Sequence, residues 1–349
     1  MTTTFEYSGI NSFMIGMSKI LLDEGIERKT RGQIAWELPE PIIVKITNPK
    51  SRLITVPCRG WNVFLSYAES LWLASGRNDL QFIQHYLKNM QNFSDDGQYI
   101  RAGYGPRFRS FDGNLSDYEK SIHHSVSYNK EKCIDQFSYI VESFQRDPWT
   151  RQGVITIGDP LKDCFDHSGS IKQTRDYPCT RLLQFMRKAN TTKLDLTVYM
   201  RSNDFFWGAT GVNIFNYTFI QEYMAAILGL EVGTYYHMIN NLHYYIDSKE
   251  KLEKLASIVT VEDNSFEYEK LPISLSDFDK QVYELALWEE KIRKKKTMEL
   301  KTFDNDFFND WAKVFFFKNT KSRIDFSHPM LNKIMNEMTS YTPQLFGSP

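Results

Sequence analysis

The chain has 349 residues, of which 42% are hydrophobic and 15% aromatic, which is enough to bury a large core and excludes an intrinsically disordered protein. Its 42 Lys and Arg residues nearly balance its 43 Asp and Glu residues. With no net positive field we expect neither a nucleic-acid nor a membrane partner, so phosphate binding must come from a local cluster.

The amino-terminal residues lack the basic and apolar regions of a signal peptide, and no apolar run approaches the roughly 20 residues that cross a bilayer. The 4 cysteines are widely spaced, without a CxxC pair or a zinc-like grouping with histidine. We therefore expect a cytoplasmic protein with free thiols and no metal.

The amino-terminal third mixes short β-type runs, at 41–46 and 52–57, with a helix at 62–76 whose apolar residues recur at helical spacing. Asn78 and Asp79 are candidate caps for a helix that follows them. The polar, glycine-containing stretch 94–113 predicts a long loop, and loops of that length in a compact chain usually have a function.

The middle of the chain has the clearest periodicity. Apolar and polar residues alternate over 194–201, which predicts a strand, and a second strand is predicted at 153–157. A helix with one apolar face follows at 218–230, and strands are predicted near 234–239 and 242–246. The charged segment 289–301 is typical of a solvated helix face. These elements predict an α/β (α+β) chain with a mixed β-sheet packed with helices.

Cys179 lies in the stretch YPCTRLLQF, between a proline and a threonine. A free cysteine in such a place is most often a small core residue. The strand at 194–201 ends at Arg201 and Ser202, whose guanidinium and hydroxyl could bind an oxyanion; alternatively, Arg201 pairs with Asp204. If Arg201 lies beside Cys179, it favours the reactive thiolate.

Four stretches in this order and spacing resemble the thymidylate synthase family: YPCTRLLQF, YMRSNDFFWGATGVNIFNY, LGLEVG and LHYY. Weaker correspondence runs back through AESLW, YG and RDPWTR to TRG, so the resemblance covers most of residues 28–250. It implies a thymidylate synthase-like catalytic domain over 1–290, with 291–349 as a helical extension, and a sheet-to-sheet homodimer. It also implies one-carbon transfer from 5,10-methylenetetrahydrofolate to C5 of a pyrimidine nucleotide.

The resemblance assigns roles to individual residues. It makes Cys179 the nucleophile that adds to C6 of the pyrimidine, because uracil is a poor carbon nucleophile without that step. Further catalytic roles fall on Glu69, Tyr104 and Arg201. The implied nucleotide-binding residues are Arg31 (with Arg28 as the alternative), Arg151, Gln184, Arg201, Ser202, Asn213, His243 and Tyr245. The implied folate-binding residues are Asp204 and Gly208.

Two of these roles have a chemical consequence. Asn213 matches the residue that reads the base edge, and an Asn amide can donate to O4 and accept from N3–H of uracil, which favours dUMP over a cytosine nucleotide. Arg151 matches the first of two arginines that reach the partner subunit's phosphate site, whereas Gln152 replaces the second, and Arg146 is a candidate to compensate.

The sequence departs from ordinary synthases at three places, and the departures favour hydroxymethylation over methylation. Phe93 lies near a position where synthases carry tryptophan, Thr180 replaces the histidine after the nucleophile, and YTPQLFGSP does not resemble the ending that closes over the folate. We therefore predict water addition to give 5-hydroxymethyl-dUMP. The alternatives are reductive methylation to dTMP and a non-catalytic nucleotide-binding homologue.

Overall fold

A computed structural model describes residues 3–30, 32–118 and 133–340. The strands are β1 Thr4–Tyr7, β2 Ile26–Thr30, β3 Gln33–Glu37, β4 Ile42–Ile46, β5 Val154–Thr156, β6 Thr180–Arg187, β7 Lys193–Met200, β8 Asn203–Asp204, β9 Glu231–Ile239 and β10 Leu242–Tyr245. The helices are α1 Ile10–Glu24, α2 Val63–Ala74, α3 Leu80–Tyr86, α4 Tyr104–Arg109, α5 Gln136–Arg146, α6 Pro160–Asp163, α7 Ile214–Ile227, α8 Lys249–Ala256, α9 Leu275–Arg293, α10 Asp306–Thr320 and α11 Pro329–Ser340.

The strands form two sheets. The larger has the order β1-β4-β9-β7-β6-β5 and is mixed, because β7 and β9 run parallel while β6 and β7 run antiparallel. The smaller has the order β2-β3-β10-β8. The prediction of an α/β chain with a mixed sheet and helices is therefore confirmed. None of the helices in the described ranges is long and apolar enough to cross a membrane.

Helix α7 lies at the centre of the core. Thirteen of its residues are buried, and so is most of the wide π-helical segment Phe205–Asn213 before it, so α7 is surrounded by protein on every side. Phe219 stacks on Phe307 of α10, with ring centroids 4.6 Å apart, and Trp311 donates its indole N–H to the Tyr67 carbonyl at 2.9 Å. The carboxyl-terminal helices thus pack on the central helix.

Three local predictions need correction. Residues 52–57 form no strand, because Arg52 is buried in an ion pair with Glu222 of α7 and holds the segment in irregular structure. The predicted loop 94–113 contains helix α4. The charged segment 289–301 is helical only to Arg293, and Glu289 is buried against Tyr86 rather than solvated.

Other predictions hold. Asp79 caps α3 by accepting the Phe82 backbone N–H at 3.1 Å. The division into 1–290 and 291–349 stays a prediction, and residue 290 falls inside α9. The stretch YTPQLFGSP at 341–349 lies outside the described residues.

Candidate active site

The hairpin of β6 and β7 brings Cys179 next to Arg201. Cys179 immediately precedes β6, in which Thr180 pairs with Met200, the last residue of β7. The ladder extends one step further, since the Arg201 backbone N–H donates to the Cys179 carbonyl at 2.9 Å. Strand pairing alone therefore places the two residues at one end of the sheet.

The Arg201 side chain completes this contact. Its Nη2 lies 3.6 Å from the Cys179 Sγ. The same guanidinium donates to the carbonyls of Pro178 at 3.0 Å and Tyr177 at 3.2 Å, which fixes the fork against the backbone. A guanidinium held beside a half-buried sulfur stabilises the thiolate, the form that acts as a nucleophile.

Tyr104 contacts the backbone at Cys179. Its hydroxyl oxygen accepts the backbone N–H of Cys179 at 3.0 Å and of Thr180 at 3.1 Å. Burial raises the pKa of Tyr104 well above its usual range, so the hydroxyl keeps its proton. The phenol therefore positions the nucleophile segment and leaves an O–H group there for proton transfer.

Buried ion pairs hold α4, the helix that begins at Tyr104. Arg107 contacts Asp163 at 2.7 Å, and Arg109 contacts Asp135 at 2.9 Å and Asp279 at 2.7 Å. Both arginines are fully buried, so removing a carboxylate would leave a charge without its partner. These pairs fix the position of the Tyr104 hydroxyl.

The start of α7 presents three polar residues at positions i, i+3 and i+4, which share one helix face. Asn213 donates its amide to Asn203 at 3.2 Å, Asn216 hydrogen-bonds Glu69, and the Tyr217 hydroxyl hydrogen-bonds Thr180. One turn of α7 thus connects the β8 segment, helix α2 and the nucleophile strand.

Glu69 has the protonation behaviour of an acid–base residue. Burial raises the pKa of its carboxyl to about 7, and the hydrogen bond from Asn216 opposes that rise. The Ser70 hydroxyl donates to Asn216 Oδ1 at 2.7 Å, which leaves the amide nitrogen of Asn216 to donate to Glu69. A carboxyl that titrates near neutral pH can give or take a proton during turnover.

Asn241 joins two of the predicted nucleotide-binding residues. Its Oδ1 lies 3.2 Å from the Ser202 hydroxyl and 2.9 Å from His243 Nδ1, while its Nδ2 donates to Glu37 at 2.6 Å. Because a carboxylate only accepts, Glu37 fixes the amide, and Oδ1 must face Ser202 and His243. The Tyr245 ring packs edge-on against the imidazole at 5.3 Å.

A carboxylate and two exposed aromatic rings lie near the start of the π-helical segment. Asp204 accepts the Trp207 backbone N–H, and burial raises the pKa of its carboxyl. The Trp207 and Phe93 rings lie 5.4 Å apart, and they are 46% and 37% exposed. Such a pair can stack against a flat conjugated molecule.

The thymidylate synthase family profile matches residues 19–301. This chain belongs to the thymidylate synthase family. Two phage relatives are named deoxyuridylate hydroxymethyltransferase. The one from Bacillus phage SP01 is 35% identical over 311 residues, which is 87% of this chain and 73% of that protein. The one from Pseudomonas phage M6 is 29% identical over 235 residues, which is 67% of this chain and 59% of that protein.

A thymidylate synthase from Streptococcus suis is also similar, with 32% identity over 126 residues, or 36% of this chain and 42% of that protein. A third phage relative, the deoxyuridylate hydroxymethyltransferase of Delftia phage PhiW-14, is 27% identical over 205 residues and is matched over 50% of its length. This family member therefore spans between half and three quarters of the phage proteins that it resembles.

The structure places the remaining predicted residues of this family member as follows. Arg31 lies outside the described residues, and its alternative Arg28 pairs with Glu37 at 2.6 Å. Gln184 donates to the Arg151 carbonyl at 3.1 Å. The Arg151 side chain is exposed.

The sequence analysis missed four residues of the site. Asn216 and Asn241 orient Glu69 and His243, and Asn203 contacts Asn213. Asp176, three residues before Cys179, accepts the Ala102 N–H at 2.8 Å, and burial raises the pKa of its carboxyl to about 6. Asn203 lies inside the YMRSNDFFWGATGVNIFNY stretch and Asn241 immediately precedes LHYY, so an amide in or beside a recognised motif was the available signal.

Proposed function

We propose that this protein transfers one carbon from 5,10-methylenetetrahydrofolate to C5 of dUMP and adds water to give 5-hydroxymethyl-dUMP. The observation that carries the proposal is the Cys179 sulfur, 3.6 Å from the Arg201 guanidinium, with its backbone N–H bound by Tyr104. The phage relatives named deoxyuridylate hydroxymethyltransferase, the first of them 35% identical across 87% of this chain, support it.

The chemistry begins with Cys179. Its thiolate adds to C6 of uracil, and the electron pair moves onto C5 and O4, which makes C5 a carbon nucleophile. C5 bonds to the methylene carbon of the folate as one of the two C–N bonds of that carbon breaks, with the electron pair going to nitrogen, and C5 then loses its proton; the second C–N bond breaks when tetrahydrofolate departs. Departure of tetrahydrofolate leaves an exocyclic methylene on C5. Water adds to that carbon, and the Cys–C6 bond breaks to release the product.

Glu69 and Tyr104 carry the proton transfers. Because the pKa of Glu69 is about 7, its carboxyl can hold a water molecule at O4 and supply a proton through that water as negative charge develops on O4. The protonated Tyr104 hydroxyl, held at the nucleophile by two backbone N–H groups, assists removal of the C5 proton.

The nucleotide binds along the hairpin end and the small sheet. The phosphate is held by Arg201 and Ser202, with Arg31 or its alternative Arg28 as a further arginine. His243, oriented through Asn241, and Tyr245 bind the 3′-hydroxyl. Asn213 reads the base, and Gln184 completes the predicted nucleotide-binding set.

The folate binds on the side of Asp204. Its pterin ring carries donors suited to a carboxylate, and the exposed Phe93–Trp207 pair offers apolar surface to the rest of the conjugated system. Glycine is required at position 208, because the Cβ of any other residue would lie 2.0 Å from Asn203 Oδ1.

We also propose a homodimer formed through the larger sheet. One face of this sheet is buried, and the other carries partly exposed side chains: Ile43, Leu182, Tyr199, Tyr236 and Met238. An apolar face of this extent fits a second copy of the chain. In that assembly the exposed Arg151 reaches the partner's phosphate site. The cytoplasmic location stays a prediction.

Reductive methylation is the second candidate, favoured by the similarity to the Streptococcus suis thymidylate synthase. Methylation requires hydride transfer from the folate before water reaches the exocyclic methylene. Thr180 is fully buried, and its hydroxyl pairs with Tyr217 and Met200. This buried threonine does not offer the polar ring that a histidine would present at this position.

The product distinguishes the candidates. The protein is incubated with dUMP and methylenetetrahydrofolate, absorbance is followed for dihydrofolate, and the nucleotide is identified by mass. We expect a hydroxymethylated nucleotide without dihydrofolate. A methylated product with stoichiometric dihydrofolate would establish the second candidate, and a lack of any product from dUMP, UMP or dCMP would contradict both.

A further inference from the structure

A line of polar side chains runs from Asn213 into the interior. Asn213 Nδ2 donates to Asn203 Oδ1 at 3.2 Å, Asn203 Nδ2 lies 2.7 Å from His237 Nε2, and His237 Nδ1 lies 2.6 Å from the Tyr235 hydroxyl. We infer that this relay couples the orientation of the Asn213 amide to the tautomer of His237, and that the direction seen in the structure makes the site select uracil over cytosine. The inference rests on dUMP being the substrate, as proposed above.

The relay is shielded from water beyond its first member. Asn203 is 2% exposed, and His237 and Tyr235 are fully buried. Buried amide and imidazole groups must find partners within the protein, because no solvent replaces a lost hydrogen bond. The orientation of each member therefore constrains the next.

The tautomer of His237 follows from the direction in which the hydrogen bonds of the relay are donated. Burial lowers the pKa of its imidazole to about 3, so the ring is neutral and has one donor and one acceptor nitrogen. With Asn203 Oδ1 accepting from Asn213, Asn203 Nδ2 must donate to Nε2. The ring proton then sits on Nδ1 and is donated to Tyr235.

This direction has a consequence for the base. Asn213 turns Nδ2 toward Asn203, and its second N–H remains to donate to O4 of uracil while Oδ1 accepts from N3–H. In the opposite direction Tyr235 would donate to Nδ1, and the ring proton of His237 would sit on Nε2. That direction would reverse the Asn213 amide, which would then accept from N4–H and donate to N3 of cytosine.

Gly208 supports the junction of the two amides. A Cβ at Gly208 would lie 2.0 Å from Asn203 Oδ1 and 2.9 Å from Asn213 Nδ2, so only glycine lets the two groups meet here. Asn203 lies between Ser202 and Asp204 in the sequence. The phosphate, base and folate residues are thus tied to the same short strand.

The first experiment reads the His237 tautomer. Nitrogen-15 chemical shifts of histidine-labelled protein are recorded with dUMP bound, and the His237 signals are assigned with His237→Phe. We expect a protonated Nδ1 and an unprotonated Nε2. A proton on Nε2 in the dUMP complex would overturn the inference, whether or not the protein turns dUMP over.

The second experiment measures discrimination. Asn203→Leu keeps the shape but removes both hydrogen bonds, and Asn203→Asp keeps an acceptor for Asn213. We expect the ratio of dUMP to dCMP affinity to fall at least tenfold in Asn203→Leu and to stay near wild type in Asn203→Asp. Thr218→Val removes a buried hydroxyl of α7 outside the relay and serves as the control for general destabilisation.

The outcomes separate this inference from the proposed function. Wild-type binding of dUMP without turnover would contradict the proposed function, and the tautomer and affinity ratio would still test the relay. Turnover of dUMP with an unchanged affinity ratio in Asn203→Leu would overturn the relay alone. If Asn203→Leu does not fold, His237→Phe provides the same comparison, and a lack of dUMP binding in wild type would overturn both.

Discussion

The Nη2 of Arg201 lies 3.6 Å from the Sγ of Cys179, although the two residues are 22 positions apart in the chain. The antiparallel pairing of β6 with β7 produces this contact. We propose that the same guanidinium also binds the nucleotide phosphate, so that one side chain both activates the nucleophile and positions the substrate beside it.

Replacing Arg201 with Met should reduce the reactivity of Cys179. The variant keeps an apolar stem but loses the charge that favours the thiolate, so alkylation of Cys179 by iodoacetamide at neutral pH should slow by about tenfold. Peptide mass spectrometry follows the rate at Cys179, and the exposed Cys58 and Cys164 serve as internal controls. Equal slowing at all three thiols would contradict the role of Arg201.

Arg151 and Cys179 should complement each other across subunits. Arg151→Ala and Cys179→Ala are each expected to be inactive, but a heterodimer of the two has one site with both native residues. Equal mixing and reassociation should restore about a quarter of wild-type turnover. No recovery, with heterodimers verified by native mass spectrometry, would show that Arg151 does not act in the partner's site.

Glu69→Gln should change the pH dependence of stability. The pKa of Glu69 is about 7 in the folded protein against an ordinary value of 4.5, so the native state keeps a proton that the unfolded chain loses between these values. The contribution of Glu69 to the free energy of unfolding of the wild-type protein therefore falls as the pH rises from 4.5 to about 7. The variant should gain on the order of 2 kcal/mol relative to wild type between pH 4.5 and pH 8.

Urea denaturation at both ends of the window measures this gain. Glu27→Gln, at an exposed position of β2, is the matched control and should follow the wild-type curve. If the free energy of unfolding changes with pH in the same way in Glu69→Gln and in wild type, the Glu69 carboxyl does not titrate near neutral pH.

Asn216→Leu should shift the pH profile of turnover. The Asn216 amide stabilises the charged form of Glu69, so removing it raises the pKa of that carboxyl further. The ionisation assigned to Glu69 in kcat/KM should move to higher pH by about one unit. Ser70→Ala, which removes only the partner of Asn216 Oδ1, should give a smaller shift in the same direction. A uniform loss of activity at every pH would instead indicate a packing defect.

Gly208→Ala should disturb base binding. The added Cβ would lie 2.0 Å from Asn203 Oδ1, so the amide pair must separate or the backbone must shift. We expect dUMP affinity to weaken by about tenfold or more, measured by calorimetry. Ala209→Gly changes the same backbone segment without adding an atom, and it should retain most of the affinity.

Local patterns in the sequence predicted much of the fold. The alternation over 194–201 specified β7, because a half-buried strand requires that period, and the apolar stretch at 218–230 specified the second half of α7. The resemblance to the thymidylate synthase family, carried by the stretches around Cys179, Arg201 and Asn213, named the candidate site residues.

The partners of the buried charged and polar groups required the tertiary structure. The polar, glycine-containing stretch 94–113 predicted a long loop, yet Arg107 and Arg109 within it are buried against carboxylates from other parts of the chain. The near-neutral pKa of Glu69 arises from its burial, which no spacing encodes.

Cys179 illustrates which features follow from the sequence and which require the tertiary structure. The sequence by itself determined that Cys179 precedes an apolar stretch and that Arg201 ends a strand. Only the tertiary structure decided that the guanidinium turns toward the sulfur and that an amide–imidazole relay stands behind Asn213. Local periodicity follows from backbone geometry, whereas hydrogen-bond direction and desolvation depend on segments that meet only after folding.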